Sequence, residues 1–192
     1  MENIPPAVKK QFDPEIEARI DQIRDRARRL YLSRRLLCTE AVMVALNEEL
    51  RGGLSEDQAV ALAAPFCAAL GNSGCMCGAL SGAVLASGLF LGNKRSYRHR
   101  RDIRDSALQL HNAFKATNGA TCCRVLSQQV KHDKKAHFQQ CADLTAEATE
   151  MAVRLILEKR PEIAAQVTSD NSARPPSPIA GVFLRLWRHL AG

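Results

Sequence analysis

The chain is poor in aromatic residues, with one Trp, two Tyr and six Phe among 192 residues. Its core cannot be built on rings and must be aliphatic, drawn from Leu, Ala, Val and Ile, a palette that favours helix packed on helix. Long apolar runs are absent as well. The longest, from Ala79 to Gly92, is broken by glycine and falls short of the roughly 18–20 residues a membrane-spanning helix needs. The opening Met1-Glu-Asn-Ile-Pro-Pro6 offers neither a basic stretch nor an apolar one, so no secretory leader and a cytoplasmic setting are expected. CxxC and CxxCH spacings are also missing. Their absence removes the usual zinc knuckle, the thioredoxin-like motif and covalent haem attachment. An odd count of seven cysteines argues against a disulfide framework, and cytoplasmic thiols mostly stay reduced.

What is present is periodic. Asp13-Pro14-Glu15 is a helix start with Asp as N-cap and Pro at the first helical position. A helical pattern runs from there to about Leu50, with an interruption near Leu32–Arg34, and Arg51-Gly-Gly53 ends it. Ser55-Glu-Asp-Gln58 is a capping box opening a helix to about Leu70, kinked or shifted by Pro65. After Gly71–Gly74, small residues at positions 78, 79, 82, 83, 86 and 87 would let another helix backbone approach closely. A charged helix follows from Asn93 to Ala116, with Ile103, Ala107, Leu110 and Phe114 inward. A short helix at Cys122–Gln129 and a long one from Lys134 to Lys159, stopped before Pro161, complete the pattern. The expectation is an all-α protein, a single bundle of about five to six helices with a tethered C-terminal amphipathic helix. It divides into a tail at 1–12, a cysteine-containing helical domain at 13–167, a Ser/Pro-rich linker at 168–178 and the terminal helix at 179–192.

The cysteines carry the chemistry. Thiolates are soft ligands for iron or zinc and the nucleophiles of redox exchange. A glycine-bearing loop delivers Cys77 to a helix start, where free backbone N–H groups and the helix dipole would stabilise a thiolate. Cys123 arrives in the same way after the turn Asn118-Gly-Ala-Thr121. Cys38 and Cys141 lie within helical patterns among apolar neighbours and should point inward. Four thiols from four elements could meet in the core, although cysteine also packs as a small hydrophobe.

These residues resemble the redox-active family named for its cysteine pattern C-GCAxxG-C-C. Leu37-Cys38-Thr-Glu-Ala41-Val42 is similar to the first cysteine's surroundings, and the CGAxxG motif stands unbroken as Cys77-Gly78-Ala79-Leu80-Ser81-Gly82. Cys123 in Cys123-Arg124-Val125-Leu126 and Cys141 look like the third and fourth. The resemblance spans roughly Ala27 to Leu157. It implies a small helical protein of redox or metal function. Similar domains joined to haem-binding segments favour an iron–sulfur cluster, of the [2Fe-2S] class, held by Cys38, Cys77, Cys123 and Cys141 for electron transfer with an unidentified partner. Cys67, Cys75 and Cys122 are additional to the pattern. Cys67 reads as core, whereas Cys75 and Cys122 are alternate ligands. A second reading is thiol–disulfide chemistry in which Cys77 attacks and Cys75 or Cys123 resolves. A third is a non-catalytic adaptor with packed cysteines.

The net charge of +7 attracts anions, but the basic run Lys94–Arg101 has one aromatic and no binding motif, so it reads as a solvated face rather than a nucleic-acid site. The arginines from Arg24 to Arg35 read likewise. In the terminal helix Ile179, Val182, Phe183, Leu186, Trp187 and Leu190 share a face opposite Arg185, Arg188 and His189. That helix suits docking to a protein partner or a second copy, and at about three turns it would hold a membrane surface only weakly.

Overall fold

The computed structural model describes residues 11–92 and 100–171. The expected terminal helix, most of the linker and most of the basic run Lys94–Arg101 lie outside them. Among the described residues the chain is all helical, with seven helices of eight residues or more. They are α1 (Pro14–Leu32), α2 (Cys38–Glu49), α3 (Glu56–Ala63), α5 (Gly78–Leu91), α6 (Arg100–Asn118), α8 (Lys134–Lys159) and α9 (Pro161–Asn171). Two short segments, α4 (Cys67–Asn72) and α7 (Cys123–Leu126), sit between them.

Local chemistry sets most of the boundaries. The Asp13 carboxylate accepts from the N–H groups of Glu15 and Ile16 at 3.1 and 3.0 Å, and Pro14 occupies the first helical position of α1. Arg34 turns the chain with a positive φ, separating α1 from α2. The Leu37 N–H donates to the Glu40 carboxylate at 2.7 Å, which anchors the start of α2. Past α2, the buried Asn47 closes the turn by donating to the Leu54 carbonyl at 2.8 Å and accepting from the Leu54 N–H at 3.0 Å. Ser55 and Gln58 form the expected capping box of α3. Asp133 caps α8 through the N–H groups of Lys135 and Ala136.

One expectation needs correction, and one helix was not foreseen. The helix opened at Ser55 does not reach Leu70. It ends at Ala63, Pro65 lies in a 3-10 turn over Ala64–Phe66, and Ala68 to Gly71 take left-handed backbone angles. The long helix does stop before Pro161, but a further helix begins there, inside the expected domain of 13–167. The missing proline N–H ends α8's ladder and is harmless in a first turn, so Pro161 opens α9. Ile163, Ala164 and Val167 of α9 are buried, and the helix packs on α1 and α8.

Contacts at both ends of the helices define their directions. Tyr31 meets Phe138 with ring centroids 5.0 Å apart, while Arg154 near the other end of α8 binds Glu17 near the start of α1 at 2.7 and 2.9 Å. These two helices are therefore antiparallel. Helices α2 and α5 are parallel, since Cys38 and Thr39 lie against Gly78 at one end and Gly52 lies against Leu89 and Phe90 at the other. α2 sits centrally, packed on α1, α3, α5 and α8. The core joins Ile20 and Ile23 of α1, Val42 and Leu46 of α2, Leu80 and Ala86 of α5, Phe114 of α6 and Val153 and Ile156 of α8. α5 is buried along most of its length, as its small residues imply. On α6, Leu110 and Phe114 are buried, and Ile103 and Ala107 are half-buried.

Candidate redox site

The end of the bundle formed by the last turn of α1 and the first turns of α2, α5, α7 and α8 gathers the cysteines. Cys38 opens α2, Cys77 is the N-cap of α5, Cys123 opens α7, and Cys141 lies in the third turn of α8. All four are free thiols. Cys38 responds to the charge of Cys77 and Cys141, Cys77 to that of Cys123 and Cys141, and Cys141 to that of Cys123. Each of the four thus lies within electrostatic reach of at least one other at this end of the bundle. Among the described residues, however, no three His, Cys, Asp or Glu side chains stand as a cage for one metal ion.

The glycines of the CGAxxG stretch explain how Cys38 and Cys77 come together. A side-chain carbon on Gly78 would collide with the Cys38 sulfur and with Thr39 Oγ1. One on Gly82 would lie 2.9 Å from the Thr39 carbonyl oxygen and 2.9 Å from Val42 Cβ. With hydrogen in both places, α5 and α2 meet backbone to backbone, and Thr39 Oγ1 donates to the Gly78 carbonyl at 2.9 Å. The motif is a packing device that delivers two sulfurs to one place.

A different device holds Cys77 and Cys123. The Cys77 N–H donates to the Thr121 carbonyl at 2.7 Å, and the Arg124 N–H donates to the Gly74 carbonyl at 3.0 Å. Arg124 Nη2 reaches the Ser73 carbonyl at 2.7 Å. Between these bonds, Cys75 and Cys122 form a disulfide across a sequence separation of 47. Neither Cys75 nor Cys122 offers a thiolate while that bond is closed, which removes both as alternate ligands and Cys75 as a resolving thiol in this state. The odd cysteine count pointed away from disulfides. One surface bond with five free thiols is compatible with that count, although it is not a framework.

Electrostatics at this end favour neutral thiols. Cys77 is pushed up to about 11, first by burial, and the thiolates of Cys123 and Cys141 push the same way. The N–H groups of Leu80 and Ala79 face its sulfur and oppose the shift, without closing a capping hydrogen bond. The helix start therefore acts as expected, but desolvation outweighs it. Burial, then the charges of Cys77, Cys67 and Cys141, push Cys38 up to about 12, against the pull of the Ala68 N–H. Cys123 and Cys141 are also raised by burial.

Two neighbours were not legible as part of this site. The buried Tyr31 directs its hydroxyl at Cys141, which favours that thiolate, and it also feels the charge of Cys38 and Cys123. Its place on the face of Ile20, Ile23 and Ala27 in α1 was the only available signal. Its ring stacks on Phe138, and the Arg34 guanidinium lies 4.7 Å from the Phe138 centroid. Cys67 is buried, as expected for core. Its sulfur also faces the first-turn N–H groups of α2 at Glu40 and Thr39, and its charge reaches Cys38. Elsewhere, the arginines of α1 are less solvated than expected. Arg28 pairs with Asp143 at 3.0 Å and Arg24 with Asp21 at 2.6 Å, while Arg26 pairs with Glu48. No helix among the described residues is long and apolar enough to cross a membrane.

Neither the comparison with curated proteins nor that with solved structures returned a match. The comparison with protein families did, to "Putative redox-active protein (C_GCAxxG_C_C)", over residues 36–155. That span contains all four pattern thiols and most of the chain, so the protein belongs to this redox-active cysteine family.

Proposed function

We propose that Cys38, Cys77, Cys123 and Cys141 hold an iron–sulfur cluster, of the [2Fe-2S] class, and that the protein transfers electrons. The observation that carries this reading is the placement of four free pattern thiols at one end of the bundle, Cys38 against the glycine that follows Cys77 and Cys77 bonded to the loop that leads to Cys123. The donor set fits such a group in number and softness, because four cysteine thiolates are its common ligands. The chain lacks the CxxC knuckle from which a structural zinc site usually draws its ligands.

The cluster would supply one-electron transfer. The chain's own residues would set the conditions for it. N–H groups of Leu80 and Ala79 at Cys77, of Ala68 at Cys38, and the Tyr31 hydroxyl at Cys141 all favour negative charge on sulfur and so tune a cluster's potential. Burial that opposes free thiolates favours neutralising them with a cation. A docked electron donor or acceptor is part of the same proposal.

Thiol–disulfide exchange with Cys77 as attacking group has less support. That thiol is buried and shifted to about 11, whereas attack requires an accessible thiolate. The test is an absorption spectrum with iron and sulfide analysis of the anaerobically purified full chain. Visible charge-transfer bands with about two irons per chain, lost in Cys77→Ser and Cys141→Ser and kept in Cys67→Ser, are expected. Colourless, iron-free protein after reconstitution with iron and sulfide would reject the cluster.

A further inference from the structure

The Cys75–Cys122 pair belongs to no part of the four-thiol site, yet it lies beside two of that site's members. We propose that it is a second redox site, a reversible two-electron couple that exchanges with an external dithiol. Three observations carry this. Cys75 is exposed and Cys122 half-buried, so an incoming thiolate can reach one sulfur and expel the other. The two loops are joined independently by the Cys77–Thr121, Arg124–Gly74 and Arg124–Ser73 hydrogen bonds. Those bonds keep the sulfurs adjacent once the disulfide is opened, so that it can close again. Finally, the elements that bury the core, α1, α2, α5 and α8, pack on one another without the disulfide, so opening it does not dismantle the bundle.

One thiolate of the dithiol bonds to Cys75 Sγ, the Cys75–Cys122 bond breaks, and its electron pair leaves on Cys122 Sγ, which takes a proton. The dithiol's second thiolate then attacks its own sulfur in the mixed disulfide. Cys75 leaves with the electron pair and is protonated, while the partner closes its own disulfide. Two electrons and two protons pass from the dithiol to this chain. Closure ties the loop bearing Cys77 to the loop bearing Cys123, and opening leaves that alignment to the three hydrogen bonds.

This couple does not rest on the cluster reading, and one experiment separates them. The full chain is equilibrated in buffers of reduced and oxidised dithiothreitol, quenched in acid, unfolded, and its thiols are mass-tagged and counted. One transition is expected, between five tagged cysteines and all seven, with the same midpoint from either direction and unchanged helical circular dichroism. The Cys75→Ser/Cys122→Ser double variant should stay at five. In single variants, glutathione disulfide should modify Cys75 of Cys122→Ser at least about tenfold faster than Cys122 of Cys75→Ser, following accessibility. A bond that opens only in denaturant, or helicity lost on opening, would overturn the couple. Wild-type protein that shows the transition but never takes up iron would sink the cluster alone. Protein that holds iron with a fixed tag count would sink the couple alone.

Discussion

Along α1 and α8 the backbone runs regularly for 19 and 26 residues, whereas from Ala68 to Asn72 every residue has a positive φ. Four of those five are not glycine, and left-handed backbone costs such residues about 1–2 kcal/mol each. The regular body is held by aliphatic burial and by ion pairs such as Arg154 with Glu17 and Glu150. The cysteine end is held by glycine contacts, loop-to-loop hydrogen bonds and one disulfide. Stability resides in the first region, and the unfavourable geometry that places sulfurs is carried by the second. If that division is right, damage to the body should lower stability while leaving the thiols' arrangement alone. Damage at the cysteine end should disturb that arrangement more than it lowers stability.

The largest expected effect is Ile156→Ala. Ile156 is fully buried on α8 among residues of the aliphatic core, and such truncations cost about 2–5 kcal/mol. Urea unfolding should show that loss, while the tagged-thiol count of the folded protein stays at the wild-type value. A changed count would mean that the body and the cysteine end are not separable.

Next is Gly82→Val. The added carbons meet the Thr39 carbonyl and Val42 Cβ, neither of which is a flexible tip, so overpacking of about 1–3 kcal/mol is expected. Because α2 must retreat and carry Cys38 away from Cys77, iron binding in the reconstituted protein should fall more than stability does. Retained iron would show that the approach of α2 to α5 does not place the sulfurs.

The same division governs what could be read from the sequence. The starts of α1, α3 and α8 were legible because a side chain caps each one, and the small-residue face of α5 because helical spacing preserves it. That Cys38, Cys77, Cys123 and Cys141 come from four separate elements was legible from their places in the helical pattern. The segment Cys67-Ala-Ala-Leu-Gly-Asn72 was not, since its residues favour a right-handed helix and tertiary contacts impose another shape. Nor was the pairing of Cys75 with Cys122. Their separation of 47 residues says nothing about which loops meet, and only the hydrogen bonds of Thr121 and Gly74 reveal it. Helix α9 escaped because Pro161 was read only as an end, although proline is equally suited to a first turn.

A third prediction concerns pH. Burial raises Cys38 from the ordinary 9.0 to about 12 and Cys77 to about 11, so the unfolded chain loses these protons before the folded one does. Folded protein then binds more protons than unfolded protein, and stability must fall as pH rises. The contribution is intact below about 9, the unfolded value, and is lost as pH climbs through 11 and 12. Urea midpoints of the iron-free chain should therefore drop between pH 8 and pH 10, and Cys38→Ala should flatten the decline. A midpoint that is level or rises over that range would mean that the thiols are not buried.

The smallest effect is the sharpest control on the glycine argument. Gly88 lies on the same helix as Gly78 and Gly82, but a Cβ built there meets nothing within 4 Å. Removing a helix-interior glycine should then stabilise the protein by up to about 1 kcal/mol, because alanine loses less backbone freedom on folding. Gly88→Ala should raise the urea midpoint slightly and leave iron content unchanged, whereas Gly78→Ala, which meets Cys38 and Thr39, should lower both. The two substitutions share their chemistry and their helix, so a difference in sign points to what lies opposite each position. If Gly88→Ala were as harmful as Gly78→Ala, α5 would need glycine for some property of the whole helix, and its contact with α2 could not be the reason for the motif.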